Sequence, residues 1–361
     1  MEKAKIIIIA VLVLAIALTG YFYKKDSSES AKPLKIGVVT PLTGGVAYWG
    51  ESTKIGFDLA QQELRDEGIN VEFIIEDGQL DPKIALNAAQ KLVNIDGVRA
   101  IFSEFNPAAI SITSFTKDKD VLHLYNAAPV SPLVESDNVY KSYLDYEYSC
   151  EKTATLLKNR GVNKVGMLKA NLEFGDLCLK GVKKVFKENT YVESYNPGNT
   201  DFRTLLTKLA SNDVEAIFNI SFQPETLTSL KTMDELGIKA TFVGLSETIT
   251  PEIVADYAKA LEGSIMFGLP SVDEEFIVKV KAAYPDKTIG ANQAIAIAYM
   301  HAKQLANALD KCSGDIACAK EKLDVLENDS IIGFTGFQNR IAGFQTLIQE
   351  WQDGKFIDIT K

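Results

Sequence analysis

The stretch KIGVVTPLTGGVAYWGESTKIGFDLA, residues 35–60, decides the fold. It begins with the short β-branched run Lys35–Thr40, which favours a strand. The turn PLTGG follows at residues 41–45, and in residues 50–67 apolar side chains recur at helical spacing. A strand, a glycine-rich turn and an amphipathic helix in this order predict the first βα unit of an α/β domain.

The same alternation of strand and helix continues along the chain in two successive series. In the first series we predict strands at Val71–Glu76, Arg99–Ser103 and Val121–Tyr125 and helices at Ile84–Val93 and Ala108–Thr116. In the second we predict strands at Lys164–Lys169, Tyr191–Tyr195, Ala216–Ile220 and Thr241–Leu245 and helices at Cys150–Asn159, Gly175–Lys187, Phe202–Ala210 and Glu225–Leu236. A long helix at Gln293–Leu309 and strands at Phe344–Trp351 and Phe356–Ile359 complete the pattern. Because the strands are apolar throughout, they indicate parallel sheets covered on both faces, and the two series predict two doubly wound lobes.

Residues 1–25 form a hydrophobic segment before the predicted fold. Residues 6–23 carry no charge and lie between lysines on both sides, and about 18 apolar residues are near the minimum for a membrane-spanning helix. A cleaved signal peptide has a similar composition, but the run ends in Tyr21-Phe22-Tyr23 rather than in small residues. We therefore expect an N-terminal hydrophobic helix that anchors the chain to the membrane, with a cleaved signal as the alternative. Residues 26–33 then form a polar linker.

Composition and motifs exclude several classes of protein. The formal charge of −10 is spread along the chain, and the basic stripe that a nucleic-acid partner requires is missing. The sequence contains no GxGxxG motif, no Walker loop and no GxSxG elbow, so we predict neither an enzyme nor a cofactor. His123 lies in an apolar strand and is expected in the core, whereas His301 is expected on the polar face of its helix. With only these two histidines, no metal site is predicted.

Four cysteines allow three disulfide pairings: Cys150, Cys178, Cys312 and Cys318. An export segment makes disulfides permissible. Cys312 and Cys318 are spaced to close a small loop. Cys150 and Cys178 lie near the starts of predicted helices and can pair if those helices are neighbours. Free thiols are the alternative for all four.

The order and spacing of three segments resemble the branched-chain amino-acid-binding proteins of ABC importers. The segments are residues 35–60, EDGQLDPKIALNAAQKLV (76–93) and NTDFRTLLTKLASNDVEAIF (199–218), and the likeness covers nearly all of residues 34–355. It implies the type I periplasmic binding protein fold, in which three hinge crossovers join the two lobes. We expect these crossovers near Tyr146, Phe267 and Gln338. The expected lobe 1 is then 34–146 plus 268–338, and the expected lobe 2 is 147–267 plus 339–361.

The resemblance also implies a ligand site on the first lobe. Asn106 stands where the family has a serine that holds the ligand carboxylate, but the next residue, Pro107, has no N–H to donate. The carbonyl of Ala127 can accept a hydrogen bond from a ligand ammonium. The family threonine of this loop is replaced by Pro129 or displaced to Ser131, so a hydroxyl donor is lost.

Aromatic and acidic positions complete the expected site. Trp49 matches a family tyrosine that faces the side chain of the ligand, with a core position as the alternative. Phe174 and Phe222 fall where the second lobe of the family uses aromatic residues, with core positions as the alternative for both. The acid that binds the ligand ammonium corresponds to Ser246 or Glu247, and a helix-capping role is the alternative for Glu247.

The resemblance implies an extracytoplasmic solute-binding subunit of an ABC importer. Its expected ligand is a small molecule, first of all an amino acid with an apolar side chain. Two-lobe closure would capture the solute for delivery to a permease and its ATPase. The alternative is a ligand-binding sensor domain that acts with a separate signalling partner.

Overall fold

The fold is described from a computed structural model over residues 32–128, 131–221, 223–249, 251–287 and 291–360. The expected membrane anchor, Pro129 and Phe222 lie outside these described residues. Within the described ranges, no helix is both long enough and apolar enough to cross a membrane.

The described strands form two sheets. In chain order the strands are β1 Leu34–Thr40, β2 Val71–Asp77, β3 Ala100–Glu104, β4 Leu122–Asn126, β5 Val139–Ser142, β6 Val165–Ala170, β7 Thr190–Tyr195, β8 Ala216–Ile220, β9 Thr241–Leu245, β10 Ile265–Gly268, β11 Phe334–Gln338, β12 Ile341–Phe344, β13 Leu347–Gln352 and β14 Lys355–Asp358. The first sheet has the order β11-β12-β5-β4-β3-β1-β2, and the second has the order β14-β13-β10-β9-β8-β6-β7.

Helices cover both faces of each sheet. They are α1 Ala47–Asp66, α2 Pro82–Lys91, α3 Asn106–Thr116, α4 Ser131–Glu135, α5 Tyr146–Asn159, α6 Glu173–Phe186, α7 Arg203–Ala210, α8 Gln223–Glu235, α9 Pro251–Tyr257, α10 Glu274–Ala283, α11 Asn292–Lys311 and α12 Ile316–Asp324. A π-helical turn, Leu92–Asp96, extends α2, and short 3₁₀ turns occupy Lys187–Asn189 and Ser246–Thr248.

The strands β1 to β5 are mutually parallel, and so are β6 to β10. Within each of these two series, a helix lies between successive strands and returns the chain to the starting end of the sheet, which is the arrangement that a parallel sheet requires. Sheet faces covered by helices explain why strands such as β3 and β8 are buried along their whole length. The predicted two α/β lobes with mostly parallel sheets are confirmed.

The end of the chain differs from the prediction. Phe344 and Trp351, predicted in one strand, belong to β12 of the first sheet and β13 of the second. β11 and β12 form an antiparallel hairpin in which Gln338 pairs with Ile341. The last passage between the sheets therefore lies between Phe344 and Leu347, and the crossover expected near Gln338 is corrected to that position. Asn339 and Arg340 both have positive φ, as a tight two-residue hairpin turn requires.

Close helix packing depends on small residues and disulfides. α1 and α11 lie so near each other that a Cβ at Gly56 would stand 2.4 Å from the carbonyl oxygen of Ile295. In the second lobe, α5 and α6 are joined by a disulfide between Cys150 and Cys178. A second disulfide, Cys312–Cys318, closes the turn between α11 and α12.

The two histidines are both core residues. His123 is fully buried between the hydroxyl groups of Ser103 and Thr113, at 2.7 and 2.9 Å. His301 is also fully buried and lies 2.5 Å from Ser142 Oγ, so its expected position on a polar helix face is wrong. The helix that carries His301 packs on the sheet with a wide face, and that face includes this side chain.

Candidate functional site

The candidate site lies beyond the carboxyl ends of the parallel strands, where the two lobes meet. Two hydrogen bonds connect the first lobe, or the chain segment that leaves it after β5, with the second lobe. Tyr143 Oη donates to Glu247 Oε1 at 2.9 Å, and Ser131 Oγ donates to Glu173 Oε2 at 3.4 Å. The cleft in this structure is therefore narrow enough for direct contact between its walls.

Trp49 is held at the first-lobe edge of the cleft by its indole nitrogen. Its side chain is half-buried in the first turn of α1, and Nε1 donates to Glu104 Oε1 at 2.8 Å. Gly50 fixes the start of this helix, because a Cβ there would stand 2.0 Å from the carbonyl oxygen of Pro41. The Trp49 ring also makes an edge contact with the ring of Phe105. Trp49 is therefore a fixed part of the wall.

Glu104, which sequence reasoning missed, is the centre of the polar network in this wall. The residue is 2% exposed, and its carboxyl group receives four hydrogen bonds. The donors are Thr40 Oγ1 at 2.6 Å, Thr53 Oγ1 at 2.7 Å, Trp49 Nε1 at 2.8 Å and Asn126 Nδ2 at 3.2 Å. Burial raises the pKa of Glu104, and the four donors oppose that shift. The only signal in the sequence is an acid at the end of an apolar strand, which is usually a solvated residue.

The loop after β3 has an uncommon backbone conformation. Phe105 has φ 67° and ψ 152°, a region that is populated almost entirely by glycine. Its N–H donates to the carbonyl oxygen of Asn126 at 3.2 Å, which ties this loop to the next one. Asn106 follows as the first residue of α3 and is half-buried, with no side-chain hydrogen bond to any described residue. The expected carboxylate-binding position thus lies two residues after Glu104 in the sequence.

The loop after β4 brings further polar groups to the same edge. Asn126 is 5% exposed, and its Oδ1 has no hydrogen-bond partner within the described part of the chain. Ala127 and Ala128 are also buried. Ser131 is exposed at the start of α4, where its hydroxyl meets Glu173 rather than the Glu104 network. The hydroxyl of Ser131 is therefore directed to the second lobe in this structure.

The second lobe presents Ser246 and Glu247 in the 3₁₀ turn after β9. Ser246 Oγ is buried without a hydrogen-bond partner among the residues described. Glu247 keeps contact with water in the cleft, and its only side-chain hydrogen bond to a described residue comes from Tyr143. Gly268 leaves room for both, since a Cβ there would stand 3.0 Å from Glu247 Oε2 and 3.1 Å from Ser246 Cβ. Surrounding protein atoms raise the pKa of Glu247.

Aromatic rings form the second-lobe wall around Glu247. Phe174 is buried at the start of α6, and its ring centre lies 5.6 Å from that of Tyr146. Tyr146 in turn lies 6.1 Å from Tyr143. Burial and the nearby Glu247 carboxylate raise the pKa of both tyrosines. Sequence reasoning missed the two tyrosines, although the dense run YKSYLDYEY at residues 140–148 was a signal for an aromatic wall.

The family of the chain follows from comparison with known proteins. The sequence pattern of the family described as periplasmic binding protein matches residues 33–353, so the chain belongs to that family. A curated relative, the Leu/Ile/Val-binding protein homolog 2 of Brucella abortus, is 24% identical over 244 residues. That match covers 64% of this chain and 66% of the relative, slightly less than two thirds of its length.

Solved structures share the fold. A leucine-binding protein from Thermotoga maritima superposes with a TM-score of 0.75 and 19% identity, over 90% of this chain and 97% of its own. An ABC-transporter solute-binding protein from R. palustris, solved in complex with 4-hydroxybenzoate, superposes with a TM-score of 0.77 and 20% identity, over 91% of this chain and 95% of its own.

The class of the protein follows from this membership. Periplasmic binding proteins are solute-binding proteins rather than enzymes, and they are extracytoplasmic. The predictions of a solute-binding family and of a non-enzymatic role are confirmed at that level.

Proposed function

We propose that this chain is the extracytoplasmic capture subunit of an ABC importer for an amino acid, or a close derivative, with an apolar side chain. The aromatic walls provided by Trp49, Phe174 and Tyr146 suit an apolar ligand group. The membrane permease and its ATPase receive the solute, and the hydrophobic segment at residues 1–25 keeps the binder at the membrane.

One observation carries the choice of an amino compound. Glu247 faces the cleft and forms no ion pair with any described residue, although its only hydrogen-bonding side-chain partner there is the neutral Tyr143. An accessible carboxylate without a cation offers open acceptor positions and an uncompensated negative charge, and a ligand ammonium within hydrogen-bond distance supplies the matching donors and charge. The family likeness independently supports an acid for ammonium binding at this turn.

Capture proceeds by closure of the two lobes. The first-lobe wall is fixed by the Glu104 network and forms the initial surface. Glu247 and Phe174 arrive with the second lobe, and their contacts with the solute stabilise the closed form. Ser149 Oγ and Thr346 Oγ1 are 2.9 Å apart and form a hydrogen bond. This bond joins the first turn of α5 to the segment between β12 and β13, two of the crossovers about which the lobes turn.

A thermal-unfolding screen of the purified full chain tests this function. The compounds are amino acids, their amides, simple amines, aromatic acids and sugars. A ligand at about 100 times its dissociation constant adds about 2.7 kcal/mol of stability, which raises the melting temperature by several degrees. We expect a shift with amino compounds that carry an apolar group and quantitative recovery of the unchanged compound. A shift with sugars or aromatic acids alone, or consumption of the ligand, contradicts the proposal.

A further inference from the structure

A chain of three buried hydroxyl groups lies beneath the 3₁₀ turn that carries Glu247. Ser221 directly follows β8, Thr226 lies in the first turn of α8, and Thr248 ends the 3₁₀ turn. Ser221 Oγ and Thr226 Oγ1 are 2.8 Å apart, and Thr226 Oγ1 is 3.1 Å from Thr248 Oγ1. Thr248 Oγ1 lies 2.8 Å from the carbonyl oxygen of Leu245, the last residue of β9. The chain therefore connects the loops that follow two neighbouring strands of the second sheet.

The direction of each hydrogen bond in this chain follows from its fixed end. The Leu245 carbonyl can only accept, so the hydroxyl of Thr248 donates to it. Because a hydroxyl group has one proton, Thr248 accepts from Thr226, and Thr226 in turn accepts from Ser221. Thr226 is therefore the middle member, and loss of its hydroxyl group removes both the donor to Thr248 and the acceptor for Ser221.

The hydroxyl of Thr226 differs in its partner from those of the other two threonines of α8. Thr228 donates to the carbonyl oxygen of Pro224 at 2.8 Å, and Thr232 donates to that of Thr228 at 2.7 Å. Both bonds run to the residue four positions earlier, as is common for a threonine inside a helix. Thr226 instead bonds to a side chain 22 residues further along the chain. Its hydrogen bond therefore ties α8 to the turn that faces the cleft.

The turn that carries Glu247 is confined on two sides. On its interior side, the hydroxyl of Thr226 holds Thr248, which directly follows Glu247. On another side β10 lies close, because a Cβ at Gly268 would stand 3.0 Å from Glu247 Oε2 and 3.1 Å from Ser246 Cβ. The backbone next to Glu247 is therefore fixed from inside the lobe, although the side chain itself is exposed in the cleft.

We infer that Thr226 is a positioning residue for the ligand site: through Thr248 it holds the turn that presents the Glu247 carboxylate to the solute. The inference rests on the proposed function, in which Glu247 binds the ligand ammonium. Thr226 is fully buried and acts without contact with the solute. A binding group has to be held within about 0.5 Å of its productive position, and hydrogen bonds behind it provide that precision.

The test compares threonine variants of α8 by calorimetric titration of the full chain. The probes are leucine, leucinamide and 3-methylbutylamine, and the one that wild type binds most tightly is used throughout. Thr226→Val keeps the shape of the side chain and removes its hydroxyl group. We expect the affinity to fall about three- to tenfold, which is the effect of one hydrogen bond. Thr226→Ser keeps the hydroxyl group and should bind like the wild type. The matched control is Thr232→Val, because the buried Thr232 donates only within α8, and its affinity should not change.

A double-mutant cycle with Glu247→Gln separates positioning from a general loss of structure. If Thr226 acts through Glu247, Thr226→Val should change the affinity little once the carboxylate is gone. Three results overturn the inference and leave the proposed function intact: unchanged affinity in Thr226→Val, an equal loss in Thr232→Val, or an equal loss in the Glu247→Gln background. Failure of wild type to bind any of the three probes contradicts both. Should Thr226→Val not fold, Thr248→Val removes the same hydrogen bond from its other end and takes its place in the cycle.

Discussion

The two walls of the cleft place their carboxyl groups in opposite situations. In the first lobe, Glu104 is enclosed and each of its oxygens accepts two hydrogen bonds. In the second lobe, Glu247 faces the cleft with Tyr143 as its single side-chain donor among the described residues, and Ser246 Oγ beside it has no partner among them. Protein donors fill the acceptor positions of the Glu104 carboxyl group, whereas the Glu247 carboxyl group has acceptor positions that a ligand can fill.

This difference shows why the burial of an acid does not by itself identify a binding group. Both residues have a raised pKa, and enclosure by protein is the main cause in each case. Their hydrogen bonds distinguish them. An acid whose acceptor positions are filled by protein donors organises its neighbours, whereas an exposed acid with open positions can exchange water for the donors of a ligand.

Truncation of the two acids should separate the two roles most clearly. Glu104→Ala leaves four donors without their acceptor, so we expect the free energy of unfolding to fall by roughly 2–4 kcal/mol. Glu247→Ala removes a carboxylate that lacks a cation, and we expect a change within about 0.5 kcal/mol. Urea denaturation of the ligand-free proteins measures both. Equal losses of stability would contradict the contrast between the walls.

Ligand affinity should show the reverse order. Glu247→Gln keeps the size of the side chain but removes the charge that attracts an ammonium, so affinity for an amine ligand should fall about 10- to 100-fold, or about 1.4–2.7 kcal/mol. Calorimetric titration measures this. The control is Glu235→Gln, because Glu235 is an acid of the same lobe that pairs with Arg203 on the surface. A similar loss of affinity in both variants would show that general charge, rather than this position, controls binding.

The sequence predicted the lobes better than it predicted the polar groups between them. Runs such as Ala216–Ile220 are apolar along their whole length because both sheet faces are covered, and that pattern is visible in one dimension. The short strands β11 and β12 were missed because their hairpin gives too little periodicity. The late passage between the sheets, after Phe344, was misplaced for the same reason.

The Glu104 network could not be predicted from local pattern. Its donors come from β1, α1 and β4, and Thr40 lies 64 residues from Glu104 along the chain. Each residue alone has an ordinary interpretation, as a strand end or a helix face. Trp49, in contrast, was predicted as a site residue from its place in residues 35–60, and in the structure its indole N–H donates to Glu104 of this network. The contacts between distant segments, which depend on the completed fold, decide which polar residue is structural.

A double-mutant cycle would measure how strongly the first wall is organised. Trp49→Phe keeps an aromatic ring and removes the Nε1–H that donates to Glu104. Combined with Glu104→Gln, it should give a coupling energy of about 1 kcal/mol in urea denaturation. The same cycle with Asp77→Asn should give a value near zero, since Asp77 bonds to Leu42 and Thr43 instead. A coupling near zero in the first cycle would mean that Glu104 does not hold Trp49.

The smallest expected effect is a pH dependence with opposite signs for stability and for binding. Because the pKa of Glu247 is raised in the folded protein, the folded state holds a proton that the unfolded chain releases between the usual carboxyl pKa and the raised one. The contribution of Glu247 to stability therefore falls as the pH rises through that window. An ammonium ligand needs the ionised carboxylate, so its affinity rises over the same window.

Unfolding and titration of the wild type and Glu247→Gln across this range measure both trends. As the pH rises, the free energy of unfolding of the wild type should fall relative to that of Glu247→Gln, while the affinity of the wild type for the ligand should rise relative to that of the variant. If these two relative values change in the same direction, the ligand does not bind the ionised form of Glu247, and the second wall does not use that carboxylate as its cation site.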